Sequence, residues 1–179
     1  MHILVAVASR HGGTREIAEA IGDELRLAGL NADVREADDV PNVDDCAGIV
    51  LSSAVYMGNW CAGARDFVAR NRTKLATIPV LLFSSGPIGA PDPRPHGDPG
   101  RIAELTQATH ALEHRVFAGK LDEAGLSLPE RLVSRMVRAQ SGDFRDWPAI
   151  RAWAREIAAS MKEGNLPTAQ PTQVQPVGV

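Results

Sequence analysis

Two hydrophobic rhythms alternate along this chain. Ile3 to Ala8, Gly48 to Ser53 and Ile78 to Ser84 are short, nearly unbroken apolar runs, the pattern of strands buried on both faces. Pro79 fits such a strand only at its start. Between these runs the apolar period lengthens. Thr14 to Ala28 carries Ile17, Ile21, Leu25 and Ala28 at helical spacing, with Gly29 as the stop. Ala62 to Ala76 turns Phe67, Val68 and Leu75 inward, and Arg101 to Ala111 is a weaker helix. Ala32 to Ala37 alternates around Val34 and predicts an edge strand; Arg115 to Gly119 predicts the last strand. Ser127 and Glu130 form a capping box around Leu128, Leu132, Val133, Met136 and Val137. A final helix starts near Asp146 and Pro148 and carries Ile150, Trp153, Ala154, Ile157, Ala158 and Met161 as one stripe.

Strands that alternate with helices predict a parallel sheet with right-handed crossovers. Five strands, the second at an edge, predict an α/β three-layer sandwich in the order 2-1-3-4-5, with an extra C-terminal helix. In that order ligands sit beyond the carboxyl ends of the strands, at the switch point between the first and third. Those ends fall at Ser9, Ser53, Ser84 and Gly119. Residues 1–162 read as one domain. Residues 163–179, rich in Pro, Gln and Thr, read as a flexible tail.

Composition narrows the class. With 179 residues, 44% of them hydrophobic, the chain can build one well-packed core. A net charge of −3 argues against a nucleic-acid-binding surface. Two cysteines, Cys46 and Cys61, make neither a disulfide framework nor a metal site. No basic leader precedes the first apolar run, and no run is long enough to span a bilayer, so the expectation is a cytoplasmic protein. Arg131, Arg135 and Arg138 share one face of the capped helix. That face is either solvated, the simpler reading, or a docking surface for an acidic partner, for anionic lipid headgroups at the inner membrane or for substrate carboxylates.

The candidate chemistry lies in three strand-end loops. The first is Ser9-Arg10-His11-Gly12-Gly13-Thr14, between a buried strand and a helix. It offers two hydroxyls and a run of backbone N–H groups at a helix N-terminus, where the helix dipole favours an anion. It lacks the Gly-Lys-Ser/Thr of a Walker loop and the G-x-G-x-x-G of a dinucleotide site, and so suits a monophosphate. The second is Ser52 to Trp60, with Ser53, Ala54, Val55, Tyr56, Met57, Gly58, Asn59 and Trp60 at the ring site. Tyr56 and Trp60 suit stacking on a planar ring. The third begins at Ser84, Ser85 and Gly86 and runs to Gly100, rich in Gly and Pro; the length of this loop is a functional signal. His96 is its only ring, and an exposed loop histidine is the simpler reading. Together the loops suit a phosphate joined to a flat ring.

These loops resemble the flavodoxin family of FMN-binding domains, whose phosphate loop usually reads T-x-T-G-x-T. Within it the chain is most similar to the flavodoxin-like, menaquinone-dependent protoporphyrinogen oxidases. The likeness runs through Tyr56-x-Gly58, Ala64-Arg65-Asp66-Phe67-Val68, Val116-Phe117-Ala118-Gly119-Lys120-Leu121, and Asp146-Trp147 leading into Ala154-Arg155-Glu156-Ile157-Ala158. It spans roughly residues 1–162, the whole domain. The chain departs from that pattern at His11 and in Asp122 to Arg145, which is shorter and lacks Tyr and Trp.

The resemblance implies that FMN carries the chemistry and that no side chain acts as acid or base. The phosphate would meet Ser9 to Thr14. Tyr56 or Trp60 would cover a ring face, and backbone N–H groups near Met57, Gly58, Asn59 and Gly86 would meet the ring edge. Mixed charges near the ring (Arg10, His11, Asp92, Arg94, His96 and Asp98) favour two-electron dehydrogenase or reductase chemistry with a quinone. The partner is then a small-molecule electron donor or acceptor, or a redox protein. A one-electron carrier and a cofactor-free interaction module are the alternatives, and homodimer formation is open.

Overall fold

The central strand is the first. In the computed structural model, which describes residues 1–56, 59–86, 102–121 and 142–164, β1 (His2–Ala8) pairs in parallel with β2 (Asn31–Glu36) on one side and β3 (Gly48–Tyr56) on the other. β5 (Val80–Ser85) continues from β3, and β6 (Glu113–Phe117) continues from β5. A two-residue strand, β4 (Asn59–Trp60), folds back antiparallel on the end of β3. Counting only the parallel strands, the order is the expected 2-1-3-4-5.

Alternate side chains of β1 enter two different cores, which is why its sequence is an unbroken apolar run. Ile3, Val5 and Val7 face Ile17, Ile21 and Leu25 of α1 (Gly13–Leu27) together with Ile150, Trp153 and Ile157 of α4 (Trp147–Glu163). Leu4, Ala6 and Ala8 face Phe67, Val68 and Leu75 of α2 (Ala62–Leu75) and Ile102 and Leu105 of α3 (Ile102–Thr109). Each fully buried Ile, Leu or Phe contributes about 1.5–3 kcal/mol by leaving water, so the two cores hold the sheet edge at a fixed height. α4 begins where Asp146 Oδ1 accepts from the Ala149 N–H at 3.0 Å, and it ends at Gly164, in the left-handed conformation. Its Trp153 packs edge-on against Phe83 and Phe117, at 6.0 and 5.6 Å between ring centres, and donates its indole N–H to Glu113.

Three details differ from the sequence expectation. β3 runs on to Tyr56, because the β4 hairpin supplies hydrogen-bond partners for its last two residues. Residues 52–56 are therefore strand, not loop. The last parallel strand occupies Glu113–Phe117 and not Arg115–Gly119: Leu81 pairs with Glu113 and Ser85 with Phe117. Its polar start misleads a hydropathy reading, since His114 is a polar residue that is buried with its ring nitrogen hydrogen-bonded to Ser84. A second, two-stranded sheet joins β7 (Lys120–Leu121) to β8 (Gly142–Asp143). The capped helix with Arg131, Arg135 and Arg138, the residues 87–101 that include His96, and residues 165–179 of the tail lie outside the described residues. Among the described residues no helix is long and apolar enough to cross a membrane.

Candidate functional site

The strand register brings the predicted loops to one edge. Ala8 pairs with Ser53, Ser53 with Ser84, and Ser84 with Val116, so four parallel strands end level. At about 4.8 Å per strand, the end of β1 lies about 10 Å from the end of β5. Everything placed on this edge is within reach of one elongated ligand.

At the β1 end the chain leaves its donors open. Gly12 caps α1 with φ +78, a conformation that glycine adopts without strain, and it brings no side-chain acceptor to the helix. The Glu16 N–H is taken by the Gly12 carbonyl at 2.9 Å, and the amides of residues 13–15, which precede this first bond, have no acceptor within the helix itself. A Cβ built on Gly12 would meet nothing within 4 Å among the described residues. Ser9, Arg10 and His11 lie in the loop, Thr14 is buried in the first turn, and Gly13 starts the helix. A ring of donors at a helix start, with little fixed charge, fits a phosphate monoester.

Behind this turn sits a cluster that sequence reasoning missed. Arg145, its side chain 2% exposed, donates through Nε and Nη2 to the two oxygens of Asp143 at 2.7 and 2.6 Å. Nη2 also meets Glu16 Oε2 at 2.8 Å, and Nη1 donates to the Gly13 carbonyl at 3.2 Å. Lys120 Nζ lies 3.6 Å from the other oxygen of Glu16. The Arg145 guanidinium lies 4.4 Å over the Trp147 ring. Its hydrogen bonds hold the Asp143 carboxyl below the usual carboxylate range, and the Asp143 bond in turn raises the guanidinium. No local signal marks Arg145, because its partners stand 129 to 132 positions earlier in the chain (Glu16 and Gly13) and at Asp143 beside it.

The other end of the edge is built differently. Trp60 is 2% exposed, and its indole N–H donates to Ser84 Oγ at 2.8 Å. Since that N–H can only donate, the Ser84 hydroxyl passes its own hydrogen to His114 Nε2, also at 2.8 Å. Burial drives the His114 pKa down to about 4, so the ring is a neutral acceptor. Trp60 and Ser84 are thus core residues that pin the β3–β4 hairpin to β5. Trp60, expected with Tyr56 as a candidate for covering a ring face, and Ser84, expected with Ser85 and Gly86 at a ring edge, are both engaged in this buried network. Ser53 is spent in the same way: its hydroxyl donates to the Ala54 carbonyl at 2.8 Å and accepts the Cys61 N–H at 2.9 Å, bracing the start of α2. The Gly86 N–H, expected at the ring edge, donates to the Phe117 carbonyl at 3.0 Å. Gly86 itself adopts φ +127 beside the backbone of Val55, a turn that disfavours any side chain.

At this end Ser85 is buried, Asn59 is exposed, and the chain turns at Gly86. The Tyr56 side chain, Met57 and Gly58 lie outside the described residues. Neither cysteine joins the site. Cys46 sits at the opposite edge, 3.8 Å from His2 Nδ1, and burial pushes its thiol pKa up. Cys61 Sγ points to the Ala54 carbonyl at 3.6 Å.

A sequence profile of the family described as Flavodoxin domain matches residues 4–147. Protoporphyrinogen IX dehydrogenase [quinone] of Escherichia coli strain K12 is 24% identical over 172 residues, covering 88% of this chain and 95% of that protein. Among solved structures, a flavodoxin from the domain Archaea superposes with a TM-score of 0.60 at 17% identity, over 90% of this chain and 99% of that one. The flavodoxin of Streptococcus pneumoniae TIGR4 gives 0.59 at 20% identity, over 89% and 99%.

Proposed function

The chain belongs to the flavodoxin family, and from that premise we propose that it holds FMN along the carboxyl edge of its sheet and works as a flavin-dependent oxidoreductase. The observation that carries this reading is the uncapped start of α1. Its open amides stand about 10 Å along the edge from the Ser85–Gly86 turn, a spacing that suits a phosphate tethered to a flat ring. The amides of residues 13–15 hold the phosphate, with the Ser9 and Thr14 hydroxyls beside them. Tyr56 covers one ring face, and the β3–β4 turn supplies backbone contacts to the ring edge. Bound flavin supplies the transfer of electrons, singly or in pairs. The protein's own part is to bind and orient it.

The described charges around the phosphate end are mixed: Lys120 and Arg145 balance Glu16 and Asp143. Together with the mixed charges that the sequence places in the loops near the ring (Arg10, His11, Asp92, Arg94, His96 and Asp98), this balance supports two-electron chemistry with a small-molecule partner over one-electron carriage. The printed name of the E. coli relative makes protoporphyrinogen IX with a quinone the first substrate pair to assay.

The test is direct. FMN titrated into the purified protein is expected to lose its fluorescence at one equivalent per chain, and the reduced protein is expected to pass both electrons to a soluble quinone. Unquenched FMN would overturn the cofactor assignment. Reoxidation that is slow with quinone and fast with a one-electron acceptor would reassign the protein as an electron carrier.

A further inference from the structure

Arg145 comes from the far end of the fold, yet it reaches the first turn of α1. Three observations define what it does there. First, it bonds Glu16 Oε2 at 2.8 Å while Lys120 approaches Oε1 at 3.6 Å, so both oxygens of the first-turn carboxylate are engaged by cations. Glu16 stabilises an isolated helix start, but the same negative charge repels an anion bound at that start. Second, Nη1 holds the Gly13 carbonyl at 3.2 Å. In a trans peptide the C=O and the next N–H point in opposite directions, so fixing the Gly13 carbonyl aims the Thr14 N–H out of the helix end. Third, the guanidinium is itself held from behind, by both Asp143 oxygens and by the Trp147 ring. It cannot swing out to touch a ligand without breaking that fork.

We infer that Arg145 is a phosphate-positioning residue: it cancels Glu16 and orients the first-turn amide, and so sets the affinity for a phosphomonoester without touching it. This rests on the FMN reading above. The role is electrostatic and local, so it distinguishes two ligands that differ only in the phosphate.

The experiment compares FMN and riboflavin binding, by fluorescence quenching at constant ionic strength, in the wild type, in Arg145→Met and in Glu16→Gln. Arg145→Met is expected to weaken FMN about tenfold or more while riboflavin changes less than about twofold. Glu16→Gln, at a half-exposed position where folding is not at risk, is expected to tighten FMN about twofold to fivefold and leave riboflavin unchanged. The double variant is expected to recover much of the FMN affinity lost in Arg145→Met. Equal weakening of both ligands in Arg145→Met would show a general loosening and overturn the inference, leaving the FMN reading intact. A Glu16→Gln variant whose FMN affinity is unchanged would overturn the electrostatic role even if Arg145→Met failed to fold. A wild-type protein that binds neither ligand overturns the FMN reading, and this inference with it.

Discussion

The two ends of the sheet edge treat their hydrogen-bonding groups in opposite ways. At the β1 end, glycine replaces a capping side chain and the amides of α1 face outward. At the β3 and β5 ends, Ser53, Ser84 and Trp60 satisfy one another and nearby backbone groups, and face inward. The first end presents backbone donors, the receptor proposed above. The second is a braced wall that presents a surface. A serine at a strand end is therefore no guide to ligand contact until its hydrogen bonds are known. A buried hydroxyl finds a partner inside because leaving it unpaired costs about 1–3 kcal/mol.

That contrast can be broken from either side. The largest expected effect concerns the braced wall under acid. His114 is held near pKa 4, while an unfolded chain takes up the proton near 6.5. Because the unfolded state binds the extra proton first, stability is full above pH 6.5 and falls as pH drops toward 4, by up to about 3 kcal/mol. Denaturant melts at pH 7.5 and 4.5 measure this, and His114→Gln should flatten the difference. An equally steep loss in the variant would place the proton elsewhere.

Next comes the receptor. Gly12→Val puts a β-branched residue at φ +78 in front of the amides. FMN affinity should fall by about a hundredfold, close to 3 kcal/mol, through strain and obstruction together. An FMN isotherm that overlays the wild type would show that the ligand does not approach from this side.

Ser84→Ala then separates wall from receptor. It strands the Trp60 N–H and the His114 acceptor, and is expected to cost about 2 kcal/mol of folding stability. FMN affinity should stay within about twofold. If binding collapsed while stability held, Ser84 would belong to the ligand after all. The smallest effect is on stacking: Tyr56→Ala should weaken FMN and riboflavin alike, by about tenfold. Unequal losses would tie Tyr56 to the phosphate and not to the ring.

Much of this was legible before any coordinates. The runs at Ile3 to Ala8 and Ile78 to Ser84 identify doubly buried strands because nothing else in a small domain keeps so many consecutive apolar residues dry. The change of period after Gly12 marks the helix, and the order of elements leaves few parallel-sheet topologies open. The strand, glycine turn and helix start at Ser9 to Thr14 are legible for the same reason: they are local in sequence, and local structure can be read from neighbours. Harder to see were features whose partners are remote. His114 carries no signal in the sequence, and its partner in the buried network, Ser84, stands 30 positions away. Trp60 reads as a ligand-facing aromatic until β5 is placed beside β3. Arg145 has no reading at all until β8 is laid against α1.

The layers, the strand order and the place of the glycine turn before α1 follow from hydrophobic period and backbone chemistry over a few residues, and the sequence alone sets them. Only the tertiary structure decided which polar side chains at the sheet edge are free and which are spent. That outcome depends on hydrogen-bond partners brought together across the sheet, and a buried polar group takes whatever partner the packing supplies.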